Sequence, residues 1–257
     1  MIHQTAIIDP GAKLHPGVSV GAYSIIGPDV EIGEKTEIHH HVIVEGPTKI
    51  GPECRIFPFA SIGLEPQDMK FQGEVSHLEI GSKNTIREYV TINRGTEAGG
   101  GITKVGDHCW IMAYCHIAHD CLVGNNVIMS NGTTFGGHVI IKDFATLGGV
   151  TGVHQFCRVG EYAITGAHSM IAQDVVPFSM VSGNRAKLAG INYIGLDRKG
   201  FTSEEIDVIN QAYKIFFKSG LTKDAAVKQL KEEFAGSNSI EIFIKFVEES
   251  DRGVCRF

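Results

Sequence analysis

The stretch Ile25-Ile-Gly-Pro-Asp-Val-Glu-Ile-Gly-Glu-Lys-Thr-Glu-Ile38 places an aliphatic residue at 26, 32 and 38, with a glycine directly after the first two. Extended outward, the same six-residue step runs from Ile8 through Leu14 and Val20 to Ile50, Ile56 and Ile62. It breaks over Leu64–His77 and resumes as Ile80, Ile86 and Ile92. A second break, Asn93–Thr103, holds three consecutive glycines, after which the step continues from Val105 to Ile171. Of these twenty-five positions only Thr165 is polar. Average chains are about 45–50% apolar, so chance does not produce this.

A period of six matches neither the 3.6 of a helix nor an uninterrupted alternation of two. It matches a short strand followed by a corner. Three such strands close a triangular coil of eighteen residues, and successive coils stack at about 4.8 Å, the spacing of hydrogen-bonded strands. Glycine often follows the aliphatic residue, as at Gly21, Gly33, Gly51 and Gly81. The expected reason is a corner conformation closed to other residues. Cys54, Cys109, Cys115, Cys121 and Cys157 all fall at one point of the repeat. They are read as reduced, inward-facing core filler.

The repeat fades after Asp174-Val-Val-Pro177, and 178–200 reads as a connecting segment. From Thr202 the pattern turns helical. Thr202 and Glu205 form a capping box, and Ile206, Ile209, Tyr213, Phe216 and Phe217 form an apolar stripe. Further helices are expected over Lys223–Phe234 and Ile240–Glu249. The expected division is a β-helix over residues 1–190 and a helical domain over 191–257.

The chain has 257 residues, 43% of them hydrophobic, and a net charge of −6. A basic face for nucleic acid is not suggested. No apolar run is long enough for a membrane span. Met1-Ile-His-Gln4 lacks the features of a signal peptide, so a cytoplasmic location is expected.

The coil arithmetic also locates a candidate site. His119 falls in register with Gly137 and Gln155, and Asp120 with His138, while His154 adjoins Gln155 and His116 lies on the same turn as His119. Residues far apart in sequence thus crowd one edge of three successive coils. Histidine is the natural general base near neutral pH, and an adjacent carboxylate can fix its tautomer. No serine or cysteine is paired with it, which favours direct attack by a substrate hydroxyl. Gly136-Gly137 would let a backbone N–H approach a developing oxyanion. Three histidines can also bind zinc, but the spacing does not match the γ-class carbonic anhydrases built on this type of repeat. Neither metal nor cofactor is called for.

Several motifs together narrow the reading: His116-Ile-Ala-His-Asp-Cys121, Gly136-Gly-His138, Val153-His-Gln-Phe-Cys157, Gln173-Asp-Val175, Gln67-Asp-Met-Lys70, Arg87-Glu88 and Asn93-Arg-Gly-Thr96. With them the whole chain resembles the UDP-N-acetylglucosamine O-acyltransferase family, among the hexapeptide-repeat acyltransferases. The resemblance implies a left-handed parallel β-helix with C-terminal helices, assembled as a homotrimer with sites between subunits. It implies transfer of a 3-hydroxyacyl chain from acyl carrier protein to the glucosamine 3-hydroxyl of UDP-N-acetylglucosamine, the first step of lipid A synthesis. His119 would be the base, Asp120 its orienter and Gly137 the oxyanion donor. Gln67, Asp68, Lys70, His116, His138, His154 and Gln155 would hold substrate. Asn192, Arg198 and Lys199 would contact the nucleotide, and Ala167 would set acyl-chain length. The chain departs from the family at Ile194, often Glu, and at Lys199, often Arg. Lysine keeps the charge but not the bidentate grip on phosphate.

Two other readings remain on the residues alone. A sibling N-acyltransferase usually carries an extra N-terminal domain, whereas the hexads here start at Ile8. A non-catalytic ice-binding helix would show threonine ladders, which this sequence lacks.

Overall fold

Alternating burial within two-residue strands builds the structure, a computed structural model that describes residues 1–257. Each hexad contributes one strand, and each strand from Ile7–Ile8 to Gly152–Val153 pairs in parallel with the strand three further along the chain. The result is a triangular prism. Face I runs from Ile7–Ile8 to Met170–Ile171, face II from Lys13–Leu14 to Arg158–Val159, and face III from Ser19–Val20 upward. The register is the eighteen-residue coil wherever no insertion intervenes: Ile25 pairs with Ile43, and His116 with Thr134.

The hexad side chains point inward and stack into one core. Ile32, Ile56, Ile62, Ile86, Ile111 and Ile117 are fully buried. Thr165, the polar exception, is buried too. Its hydroxyl accepts the Gly148 N–H at 2.9 Å and lies 3.0 Å from the Thr151 hydroxyl. All six cysteines are free and buried. Ile56 sits at 0% exposure in mid-prism. Ile56→Ala should cost about 2–5 kcal/mol of stability. The check is the denaturation midpoint, and an unchanged midpoint would contradict a packed prism interior.

The expected reason for the glycines needs correction. Most of those after the aliphatic residue do not have positive φ. They are small because the next coil is close. A Cβ on Gly33 would lie 2.6 Å from the carbonyl carbon of Gly51. The left-handed corner conformations fall instead on ordinary residues two positions later, such as Lys35, Asp120 and His138, near φ +60°.

The two breaks leave the prism at the corner between faces I and II. The first spans 65–76, between strands Ser61–Leu64 and His77–Ile80. The second lies between Thr91–Asn93 and Ile102–Val105 and contains a single 3-10 turn, Glu97–Gly99.

Residues 178–200 are more ordered than a connector. Strands Ser179–Ser182 and Lys187–Ile191 form an antiparallel hairpin that continues face III. The expected 190/191 boundary falls inside its second strand, whose Leu188 and Ile191 pack into the prism core. Helix α1 follows at Tyr193–Arg198, then α2 at Ser203–Lys218, α3 at Lys223–Glu233 and α4 at Asn238–Glu248. The Thr202–Glu205 capping box is present in both directions. Phe216, Leu230, Phe243 and Val247 join the helices in a small core of their own. The tail then returns to the prism, where Asp174 N–H donates to Gly253 O and Cys255 N–H to Asp174 O. No helix is long and apolar enough to cross a membrane.

Candidate active site

His119 and Asp120 lie at the corner where the chain turns from strand His116–Ile117 of face I to Leu122–Val123 of face II. Asp120 has φ +59°, an uncommon conformation for a non-glycine residue. Its amide is satisfied by donation to the Thr103 hydroxyl at 2.8 Å. The His119 Nδ1 lies 2.7 Å from Asp120 Oδ2, with the carboxylate fully buried and the imidazole 14% exposed. A carboxylate partner assigns the proton to Nδ1 and leaves Nε2 as the free basic nitrogen.

That nitrogen sits over Gly137, one coil further on. A Cβ at 137 would lie 2.6 Å from it. The Gly137 N–H donates to no group within the chain. The free nitrogen of His119 therefore packs against a glycine whose N–H is uncommitted within the chain.

His138 closes a second side. Its ring is edge-on to His119 at 5.2 Å and stacked on Phe156 at 4.4 Å. Burial lowers the His138 pKa most strongly; Asp120 and Asp68 oppose this, and His119 adds to it. His116 is also held below the usual range, first by burial and then by the charge of His119. Its Nδ1 lies 2.7 Å from the Thr91 hydroxyl. Both histidines are thus biased to the neutral form, which keeps competing positive charge away from the base.

His119, Asp120 and His138 offer donor atoms within 4.8 Å of one another, the one trio in the chain with metal-ligand potential. The distances favour a proton dyad. Tetrahedral zinc ligands at about 2.0–2.2 Å from the ion sit more than about 3 Å apart. The His119 nitrogen and Asp120 oxygen are at hydrogen-bond distance, 2.7 Å. Asp120 already receives both the N–H and the hydroxyl of Thr96.

Among the other expected residues, Asp68 is near enough to His138 to act on its charge. Its carboxylate accepts the Lys70 N–H at 3.0 Å. Gln67 and Lys70 are exposed on the same insertion. His154 and Gln155 are exposed on the next coil, with His154 Nδ1 3.0 Å from Gln155 O.

The nucleotide set is not brought to this edge. Asn192 caps α1: its Oδ1 accepts the Gly195 N–H at 3.1 Å, and its Nδ2 donates to Tyr162 O at 2.9 Å. Tyr162 and Phe144 stack at the corner between faces II and III, and the Lys199 ammonium lies 5.1 Å over Phe144. Arg198 is exposed nearby. Ala167 is exposed at the third corner, between faces III and I. A cleft of about 490 Å³ lies elsewhere, between Tyr162, Phe178, Phe201 and the starts of α2 and α4.

Sequence reasoning missed Thr96 and Thr103 as partners of Asp120. The second insertion interrupts the coil count, so no spacing rule links 96 to 120.

A hexad-built prism with a histidine–carboxylate pair on one corner is the architecture of a hexapeptide-repeat protein, and the family match makes it one of the transferases. Residues 102–137 match the bacterial transferase hexapeptide model of six repeats. Residues 174–255 match the second-domain model of UDP-N-acetylglucosamine O-acyltransferase. An acyl-[acyl-carrier-protein]–UDP-N-acetylglucosamine O-acyltransferase of Thermodesulfovibrio yellowstonii is 50% identical, covering 99% of each chain. That of Herminiimonas arsenicoxydans is 49% identical over 100% of this chain and 99% of its own. The crystal structure of the Francisella novicida UDP-N-acetylglucosamine acyltransferase superposes with a TM-score of 0.97 at 39% identity, covering 100% of this chain and 94% of that one. The Acinetobacter baumannii structure gives 0.96 at 44% identity, with 99% of both chains covered. The chain belongs to the UDP-N-acetylglucosamine O-acyltransferase family, and its prism is that family's left-handed parallel β-helix.

Proposed function

We propose that this chain transfers a 3-hydroxyacyl group from acyl carrier protein to the 3-hydroxyl of the glucosamine in UDP-N-acetylglucosamine, opening lipid A synthesis in the cytoplasm. The observation that carries the mechanism is the 2.7 Å contact of His119 Nδ1 with buried Asp120, which leaves Nε2 free beside Gly137.

The steps follow from that pair. His119 Nε2 takes the proton of the acceptor hydroxyl as its oxygen attacks the thioester carbonyl carbon. Asp120 holds the imidazole in register and stabilises its cationic form. The Gly137 N–H donates to the oxyanion of the tetrahedral intermediate. Collapse breaks the carbon–sulfur bond, and the imidazolium returns its proton to the departing carrier thiolate. No acyl-enzyme is required. No hydroxyl or thiol of the chain hydrogen-bonds His119. Burial pushes the neighbouring Cys121 thiol up to about 12, far from a reactive thiolate.

Asp68, His138 and Gln155 would hold the sugar, with His116, Gln67, Lys70 and His154 at its margins. A homotrimer supplies what one chain leaves apart, bringing together the dyad, the Asn192, Arg198 and Lys199 set, and the Ala167 corner of different copies. The test is acyl transfer with UDP-N-acetylglucosamine and a panel of 3-hydroxyacyl carrier proteins of different length. Turnover with at least one member is expected, with a medium-to-long chain preferred because Ala167 is small. Absence of turnover with every member would overturn the proposal.

A further inference from the structure

The second insertion does more than interrupt the prism. Both oxygens of Asp120 are held by one residue of it: Oδ1 accepts the Thr96 N–H at 2.8 Å, and Oδ2 accepts the Thr96 hydroxyl at 2.7 Å. The direction of that hydroxyl is fixed from behind. It receives the Gly99 N–H at 3.2 Å, so its own proton goes to the carboxylate. Thr96 is 4% exposed and caps the single 3-10 turn Glu97–Gly99. Gly99 packs directly on the carboxylate, where any Cβ would overlap Asp120. Its φ is not in the left-handed region, so space and not conformation requires glycine there. The loop is itself anchored: Arg94 donates to Gly63 O, and Asn93 Nδ2 to Glu65 O at 2.8 Å.

We infer that Thr96 is a positioning residue of the reaction, setting the one orientation of the Asp120 carboxylate from which Oδ2 can hold His119. The inference rests on the proposed roles of His119 and Asp120. Thr96 makes its side-chain hydrogen bonds to Asp120 and Gly99 and none to His119. It acts through Asp120, by denying the carboxylate rotation about its Cβ–Cγ bond.

A double-mutant cycle tests this in the full-length enzyme. Thr96→Val should lower kcat roughly 10- to 100-fold, the scale of a misplaced catalytic group, with KM for UDP-N-acetylglucosamine within about twofold. Thr96→Ser should recover most of the rate. In an Asp120→Ala background, Thr96→Val should change kcat less than about twofold, because the group it positions is gone. Full kcat in Thr96→Val, or a loss that multiplies in the Asp120→Ala background, would overturn the assignment. Where Thr96→Val does not fold, Gly99→Ala perturbs the carboxylate from its other side with Thr96 in place and should show the same dependence on Asp120. The His119 Nδ1–H resonance gives a readout that needs no turnover. It should be protected in the parent and exchange-broadened in Thr96→Val, and an unchanged resonance would overturn the assignment even if the parent proved inactive on these substrates.

Discussion

His119→Ala should lower kcat for acyl transfer by roughly 10²–10⁴-fold, the usual contribution of a positioned general base. Stability should barely change. The imidazole lies on the outside of the coil at 14% exposure, so its removal opens no space in the core. KM for both substrates should move little, because the base acts on the hydroxyl proton and other side chains hold the sugar and the donor. Steady-state kinetics with a melting curve on the same sample separate these effects. A variant within threefold of the parent rate would remove His119 from the mechanism.

Gly137→Ala should cost about 10²-fold, although the change is one methyl group, because Gly137 is buried beneath the His119 ring. Gly137 is not among the positive-φ residues, so alanine fits its backbone. The loss comes from where the methyl lands: 2.5 Å from His119 Cε1 and 2.6 Å from Nε2. The imidazole must swing away, and a displacement of about 1 Å in a catalytic group costs on this order. The N–H at 137 survives the substitution. The defect should therefore vanish in a His119→Ala background, where no ring remains to be displaced. Additive losses there would move the importance of Gly137 from the base to the oxyanion.

Why some of this was legible in the sequence and some was not follows from how each feature is built. A prism of identical coils writes its register into the chain, so adding eighteen to Asp120 reaches His138 and adding it to His119 reaches Gly137. The inward cysteines and the hexad aliphatics carry the same period. The hairpin Ser179–Ile191 was not seen because it abandons that period. Its alternation of buried Val181, Leu188 and Ile191 with exposed neighbours is short and is broken by Gly183 and Gly190. The role of the glycines was misassigned because sequence shows that a Cβ is absent but not what would have met it. Thr96 was invisible as a partner of Asp120 because the insertion that carries it destroys the coil count. Asn192 illustrates the reverse case. Its amide is committed to capping α1 and to Tyr162, a local structural use that a motif match does not reveal.

Direct transfer, with no covalent enzyme intermediate, is read out by the intact mass of the enzyme. The enzyme is mixed with a 3-hydroxyacyl carrier protein, with and without UDP-N-acetylglucosamine, quenched in acid, and its intact mass is determined. An unmodified enzyme mass is expected in both samples, with acylated nucleotide sugar only where the acceptor is present. An enzyme mass increased by one acyl group in the sample lacking acceptor, and discharged when acceptor is added, would contradict direct transfer.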